Sequence, residues 1–203
     1  MEEKFSKLML KSMEYIMGFY LREQLEKIGF KSLGENVLIS DKTSIYSPEN
    51  ISIGNDVRID DFTILSAGKG YINIGNYIHI AAFGAFFGGG GIVMEDFTTT
   101  SSRVCIYSVS DDYSGEAMTN PMIPEKYKKL KYGKVTIKKH SIIGSGTTIL
   151  PGVTLEEGTS IGANSLVLTS TKPWRIYAGS PIKKLKDRKK NLLKLEKEFL
   201  EDR

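Results

Sequence analysis

Apolar residues recur at every sixth position from Ile137 to Val167: Ile137, Ile143, Ile149, Leu155, Ile161 and Val167, with small or polar residues between them. A helix returns its apolar residues at three and four, and a half-buried strand at two, so neither explains the spacing. A period of six fits short flat strands joined by equal corners, the signature of a parallel β-helix wound from hexapeptides. One hexad cannot bury its single apolar residue alone; stacked coils gather those residues into a shared column.

The register extends backwards through four variants of one phrase: Ile51-Ser-Ile-Gly-Asn-Asp56, Ile72-Asn-Ile-Gly-Asn-Tyr77, Ile92-Val-Met-Glu-Asp-Phe97 and Val135-Thr-Ile-Lys-Lys-His140. The alignment predicts a mainly β prism of about six coils. Ile53, Ile74, Met94, Ile137 and Leu155 share its first face, and Ile59, Ile80, Thr100, Ile143 and Ile161 its second. Leu65, Phe86, Ile106, Ile149 and Val167 make the third, while Leu33, Ile39 and Ile45 supply a looser first coil. Steps longer than 18 residues require corner insertions at Pro48-Glu49, Gly68 to Gly70 and Gly88 to Gly91. Between Ile106 and Ile137 about 25 residues leave the prism; a loop that long in a compact solenoid is usually functional.

Three segments follow: an amphipathic helical cap over 1–30, the β-helix over 31–170 with its extruded loop at 107–134, and a C-terminal extension over 171–203. Met9, Met13, Ile16, Met17, Tyr20, Leu21, Leu25 and Ile28 give the first helix one apolar face. A last helix is predicted from about Ile182, with Leu185, Leu192, Leu195 and Phe199 on one side.

The net charge of +4 is matched by the stretch from Lys183 to Arg203, so the body is balanced. That excludes a nucleic-acid face spread over the prism and leaves one basic terminal patch. A single cysteine, Cys105, and an N-terminus without a signal-peptide layout predict a cytoplasmic protein. The uncharged run from Tyr71 to Met94 carries asparagines and glycines and keeps the six-residue register, so no membrane insertion is expected.

Three stretches carry a resemblance: Ile143-Gly-Ser-Gly-Thr-Thr-Ile-Leu-Pro-Gly-Val153, Ile161-Gly-Ala-Asn-Ser-Leu-Val167 and Ala178-Gly-Ser-Pro-Ile-Lys183. With the extruded loop, they resemble the hexapeptide-repeat, left-handed β-helix acyltransferases, nearest the bacterial sugar O- and N-acetyltransferases. The resemblance implies a left-handed coil, a homotrimer with active sites at subunit clefts, acetyl-CoA as co-substrate, no metal, and a sugar or nucleotide-linked amino sugar of surface polysaccharide as acceptor. Left-handedness comes from the resemblance alone, since crossover connections are otherwise right-handed.

Such transfer needs a base for the acceptor proton, a donor for the oxyanion and a grip on the carrier. His79 precedes core Ile80 and so points outward; flanked by Ile78, Ala81 and Ala82, it is the expected base. A histidine buried at a trimer contact is the alternative. His140, beside Lys138 and Lys139, reads as a solvated turn residue. Many relatives place a base histidine before an aspartate at the loop entrance, where this chain has Ser110-Asp111-Asp112, so a loop carboxylate is a second possible base. Asp111, Asp112, Tyr113, Glu116 and Asn120 are the expected sugar contacts. Gly144, Ser145, Gly162, Ala163 and Pro181 would hold the pantetheine arm, with Lys183 and Lys184 at its phosphates. Two histidines are too few for a zinc carbonic anhydrase on this fold; a non-catalytic scaffold is the remaining rival.

Overall fold

The computed structural model describes residues 18–203. It is a left-handed parallel β-helix with six complete coils and the start of a seventh. The first face stacks Ser32–Leu33, Ile51–Ile53, Ile72–Ile74, Ile92–Met94, Val135–Ile137 and Thr154–Leu155. The second stacks Val37–Ile39, Val57–Ile59, Ile78–Ile80, Thr99–Thr100, Ile142–Ile143 and Ser160–Ile161, and adds Arg175–Ala178. The third stacks Ser44–Tyr46, Ile64–Ser66, Ala85–Phe87, Cys105–Tyr107, Thr148–Ile149 and Leu166–Val167. Every predicted column is in register: Met94 pairs with Ile74 and Ile137, Thr100 with Ile80 and Ile143, Ile106 with Phe86 and Ile149. These inward residues line one continuous core and are buried, except Leu33 and Ile45 of the first coil, which are half-buried.

The corners have a feature that the hexads do not announce. Asn36, Asp56, Tyr77, Phe97 and His140 occupy one corner of successive coils, followed by Gly158 and Trp174, all with φ between 53° and 66°. Non-glycine residues rarely adopt this left-handed conformation, which costs on the order of 1 kcal/mol. Above Asn36, each is held by the coil below it. The amides of Asp56, Tyr77, Phe97, His140 and Trp174 donate to the carbonyls of Glu35, Asn55, Asn76, Asp96 and Glu157. The next corner repeats the device with Phe83, Arg103 and Asn164, whose amides donate to Asp61, Ala82 and Ser145.

Both ends depart from the expected helices. Among the described residues, helix α1 spans Arg22–Ile28 and packs fully buried Leu25 on the open first coil. Tyr20 and Leu21 precede it: Phe19 instead bridges Ser40, and Leu21 is exposed. The apolar positions at Met9, Met13, Ile16 and Met17 lie outside the described residues. At the other end, Lys183–Asp187 is a strand, antiparallel to Arg175–Ala178, where a helix was expected. The turn at 179–182 reverses the chain, and an available strand edge satisfies the backbone before any helical turn forms. Helix α2 begins later, at Leu192–Glu201, and lies across the column of left-handed corners.

Within the long loop, Val109–Ser110 and Lys131–Tyr132 pair as an antiparallel hairpin stem. Its base lies on the third face, which it leaves after Cys105–Tyr107.

Truncating Ile143, fully buried between Thr100 and Ile161, is expected to cost about 2–5 kcal/mol. Urea unfolding of Ile143→Ala measures it; a loss under about 1 kcal/mol would contradict the column as the source of stability.

Candidate active site

His79 projects outward from the second face, its side chain 45% exposed. The apolar setting suggested by its neighbours is not what the imidazole meets, because Ile78 and Ile80 both turn inward. Its partner comes from the coil below. Nε2 lies 2.8 Å from Asp60 Oδ2, while Arg58 Nε donates to Asp60 Oδ1 at 2.7 Å. Arg58 stands directly under His79 in the strand register, and its guanidinium also covers the Phe19 ring. An imidazole whose Nε2–H donates to a carboxylate keeps its lone pair on Nδ1, the arrangement a general base needs. The sequence held the signal for this group: aligning Ile59 with Ile80 places Arg58 beneath His79.

The loop residues divide into two sets. Asp112 serves the loop itself: its carboxylate accepts from Ser114, side chain and amide, and from the Ala117 amide. The Ser114 hydroxyl, foremost, holds the Asp112 carboxyl below the ordinary range. Glu116 pairs with Lys129 at 2.8 Å, and Asn120 caps the Met122 amide. Asp111 and Tyr113 are different. Together they line a cavity of about 370 Å³ floored by Tyr107, Thr148 and Leu150 of the third wall, and an adjoining one beside Lys129 and Lys131. His79 lines neither of these two cavities.

Of the expected carrier residues, Gly144, Ser145, Gly162 and Ala163 lie on one stripe at the corner between the second and third faces. The Gly144 amide donates to Ile161, that of Gly162 to Tyr177, and that of Asn164 to Ser145, so the coils stack tightly there. A Cβ on Gly144 would stand 2.5 Å from the Ala163 amide nitrogen, and one on Gly162 would stand 2.9 Å from the Ala178 methyl. Coil stacking alone therefore demands both glycines. Ser145 and Ala163 are exposed along the stripe. Pro181 lies in the turn over Leu166, whose carbonyl accepts from Ile182. Lys183 and Lys184 emerge on the last strand; Lys184 is paired with Asp187 at 2.7 Å.

His140 is not solvated, as its lysine neighbours suggested. It is 7% exposed because α2 covers it: Nε2 meets Glu196 Oε2 at 2.8 Å, and the ring stacks on Phe97. Arg188 anchors the same corner through the carbonyls of His140 and Gly158. Arg203 pins the far end of α2, gripping both Asp56 oxygens and the Tyr77 hydroxyl. Burial pushes the Cys105 thiol up, away from the thiolate that a nucleophile needs.

Comparison with known proteins decides the family. The family model for bacterial transferase hexapeptide (six repeats) matches residues 134–169. A dTDP-4-amino-4,6-dideoxy-D-glucose acyltransferase from Escherichia coli is 50% identical over 181 residues, covering 89% of this chain and 94% of the relative. This chain belongs to the hexapeptide-repeat sugar acyltransferases. Among solved structures, AntD, an N-acyltransferase from Bacillus cereus, with an aspartate replaced by asparagine and bound to dTDP and coenzyme A, is 52% identical. Its TM-score is 0.89, covering 92% of this chain and 100% of that one. The same enzyme with dTDP and 3-hydroxybutyryl-CoA is 53% identical, with a TM-score of 0.88, covering 91% and 97%. Among the described residues of this acyltransferase, no helix is long and apolar enough to cross a membrane.

The clasp on α2 has a defined pH response. Hydrogen bonds from Arg203, foremost, and Asn36 hold the Asp56 carboxyl low. Burial alone would raise Glu196, but Lys139 and His140 outweigh it and hold that carboxyl low as well. Both contributions are complete at neutral pH and are lost as pH falls below about 4, through the depressed folded values. Trp174, the sole tryptophan, sits beside His140 at the root of α2. Its emission is expected to shift on acidification before the β-sheet circular dichroism changes, and Glu196→Gln to shift it already at neutral pH. Emission constant until the coils unfold would contradict this.

Proposed function

We propose that this acyltransferase moves an acyl group from a coenzyme A thioester to the amino group of a dTDP-linked amino-dideoxy sugar. The observation that carries the reading is the likeness, above 50% identity over nine-tenths of the chain, to an enzyme solved with dTDP and coenzyme A. Transfer to nitrogen rather than oxygen follows from the same relatives, and 3-hydroxybutyryl-CoA in one of them extends the acyl donor beyond acetyl. The product would serve surface polysaccharide assembly in the cytoplasm.

The amine attacks the thioester carbonyl carbon; its proton passes to His79, the C–S bond breaks, and the departing thiolate takes up a proton. No acyl-enzyme forms in this scheme. Asp60 holds the imidazole and balances its charge. The pantetheine arm follows the exposed corner stripe past Ala163 and Ser145. Cross-coil bonds from Gly146 to Ser102 and from Arg103 to Ala82 carry that stripe down to the coil of His79. Lys183 meets the carrier's phosphates.

His79 and the loop stand on different walls of one copy. The reading therefore requires a homotrimer, in which the loop of one copy reaches the second wall of the next. Asp111 and Tyr113, which line the cavity against the third wall, take the sugar, while Asp112, Glu116 and Asn120 shape the loop. Asp111 as the base is the second reading, favoured by its place in both cavities.

Purified protein is expected to release free thiol from acetyl-CoA only when dTDP-4-amino-4,6-dideoxyglucose is present. His79→Ala should lower kcat/KM by about 100-fold or more. A near wild-type His79→Ala together with an equally deep loss in Asp111→Asn would transfer the role to the loop.

A further inference from the structure

The second wall carries a groove that transfer of an acetyl group leaves unused. Between α2 and the wall lies a cavity of about 430 Å³. Thr99 and Ile142 form its floor, and Phe97, Leu192, Leu195 and Phe199 line its sides. Ile142, Leu195 and Phe199 remain exposed on both flanks, so the groove is open and apolar.

Its floor is continuous with the proposed base. Thr99 lies in register above His79, and its hydroxyl donates to the His79 carbonyl at 3.2 Å; Ile142 lies in register above Thr99. Coils are spaced by about 4.8 Å, so Ile142 stands roughly 10 Å along the axis from His79. An acetyl group reacting at His79 ends short of that floor, whereas a longer acyl chain continues over Thr99 and onto Ile142.

The charged groups at the inner end do not call for a charged occupant. Glu196 is engaged by His140 and Lys139, and Arg188 by two main-chain carbonyls. What remains open is hydrocarbon. We propose that the groove under α2 receives the acyl chain of the thioester and sets its length, favouring donors of four or more carbons. Each methylene that leaves water there is worth about a fourfold preference. The inference rests on the reading that the chemistry occurs at His79.

The test is kcat/KM of the full-length protein with acetyl-, butyryl- and hexanoyl-CoA, using dTDP-4-amino-4,6-dideoxyglucose as acceptor. Wild type is expected to prefer the longer donors over acetyl. Ile142→Trp, which fills the floor from an exposed position, should lower the hexanoyl-to-acetyl ratio at least tenfold. Leu195→Ala should move the optimum to longer chains. An acetyl preference in wild type, or an unchanged ratio in both variants with their circular dichroism intact, overturns the proposal. His79→Ala separates the two readings. If it is inactive while Ile142→Trp leaves the ratio unchanged, the groove fails and the base stands. If it is active while Ile142→Trp shifts the ratio, the base fails and the groove stands.

Discussion

The structure depends on one repeated contact: a left-handed corner residue whose amide bonds to the corner carbonyl of the preceding coil. Each such corner costs on the order of 1 kcal/mol in backbone strain and recovers a similar amount in its hydrogen bond. The balance is near neutral in energy but decisive in geometry, because it fixes every coil's turn and stops one coil from sliding over the next. A slip of a single residue would bring the outward side chains into the core.

From that fixed register comes the line of outward residues on the second wall: Arg58, His79, Thr99 and Ile142, one per coil. Nothing in their separation along the chain brings them together; coil stacking does. The same stacking keeps the loop stem on the third wall, so the prism separates the proposed base from the loop residues proposed to hold the sugar within a single chain. The separation is what makes a shared cleft between copies part of the functional reading, beyond its precedent in the family.

The period of six made the core columns legible residue by residue, since burial of one apolar residue per hexad is a local rule. Placing Ile59 with Ile80 also implied the Arg58–His79 stack, although the Asp60 link, which crosses to the neighbouring coil, does not follow from that register. Positions governed by distant contacts were not legible. His140 looked solvated because its cover, Glu196, lies 56 residues away. Lys183–Asp187 looked helical because Leu185 and Leu192 suggested one face, whereas the strand edge of Arg175–Ala178 claimed it first. Gly144 and Gly162 read as part of a carrier groove, but the 2.5 Å and 2.9 Å approaches show that coil stacking suffices to explain them. In the loop, composition alone made all five polar residues equivalent; hydrogen bonding sorts Asp112, Glu116 and Asn120 from Asp111 and Tyr113.

The shared cleft is tested most directly by mixing two disabled chains. One carries His79→Ala; in the other, the hairpin is cut back to a short turn joining Val109 to Tyr132, which already face each other across the stem. Each alone should lose about 100-fold or more of its activity, and co-expressed oligomers purified through two different tags should regain it, because one copy supplies the intact wall and its neighbour the intact loop. Mixed oligomers as inactive as their parents would show that wall and loop do not work together across the interface.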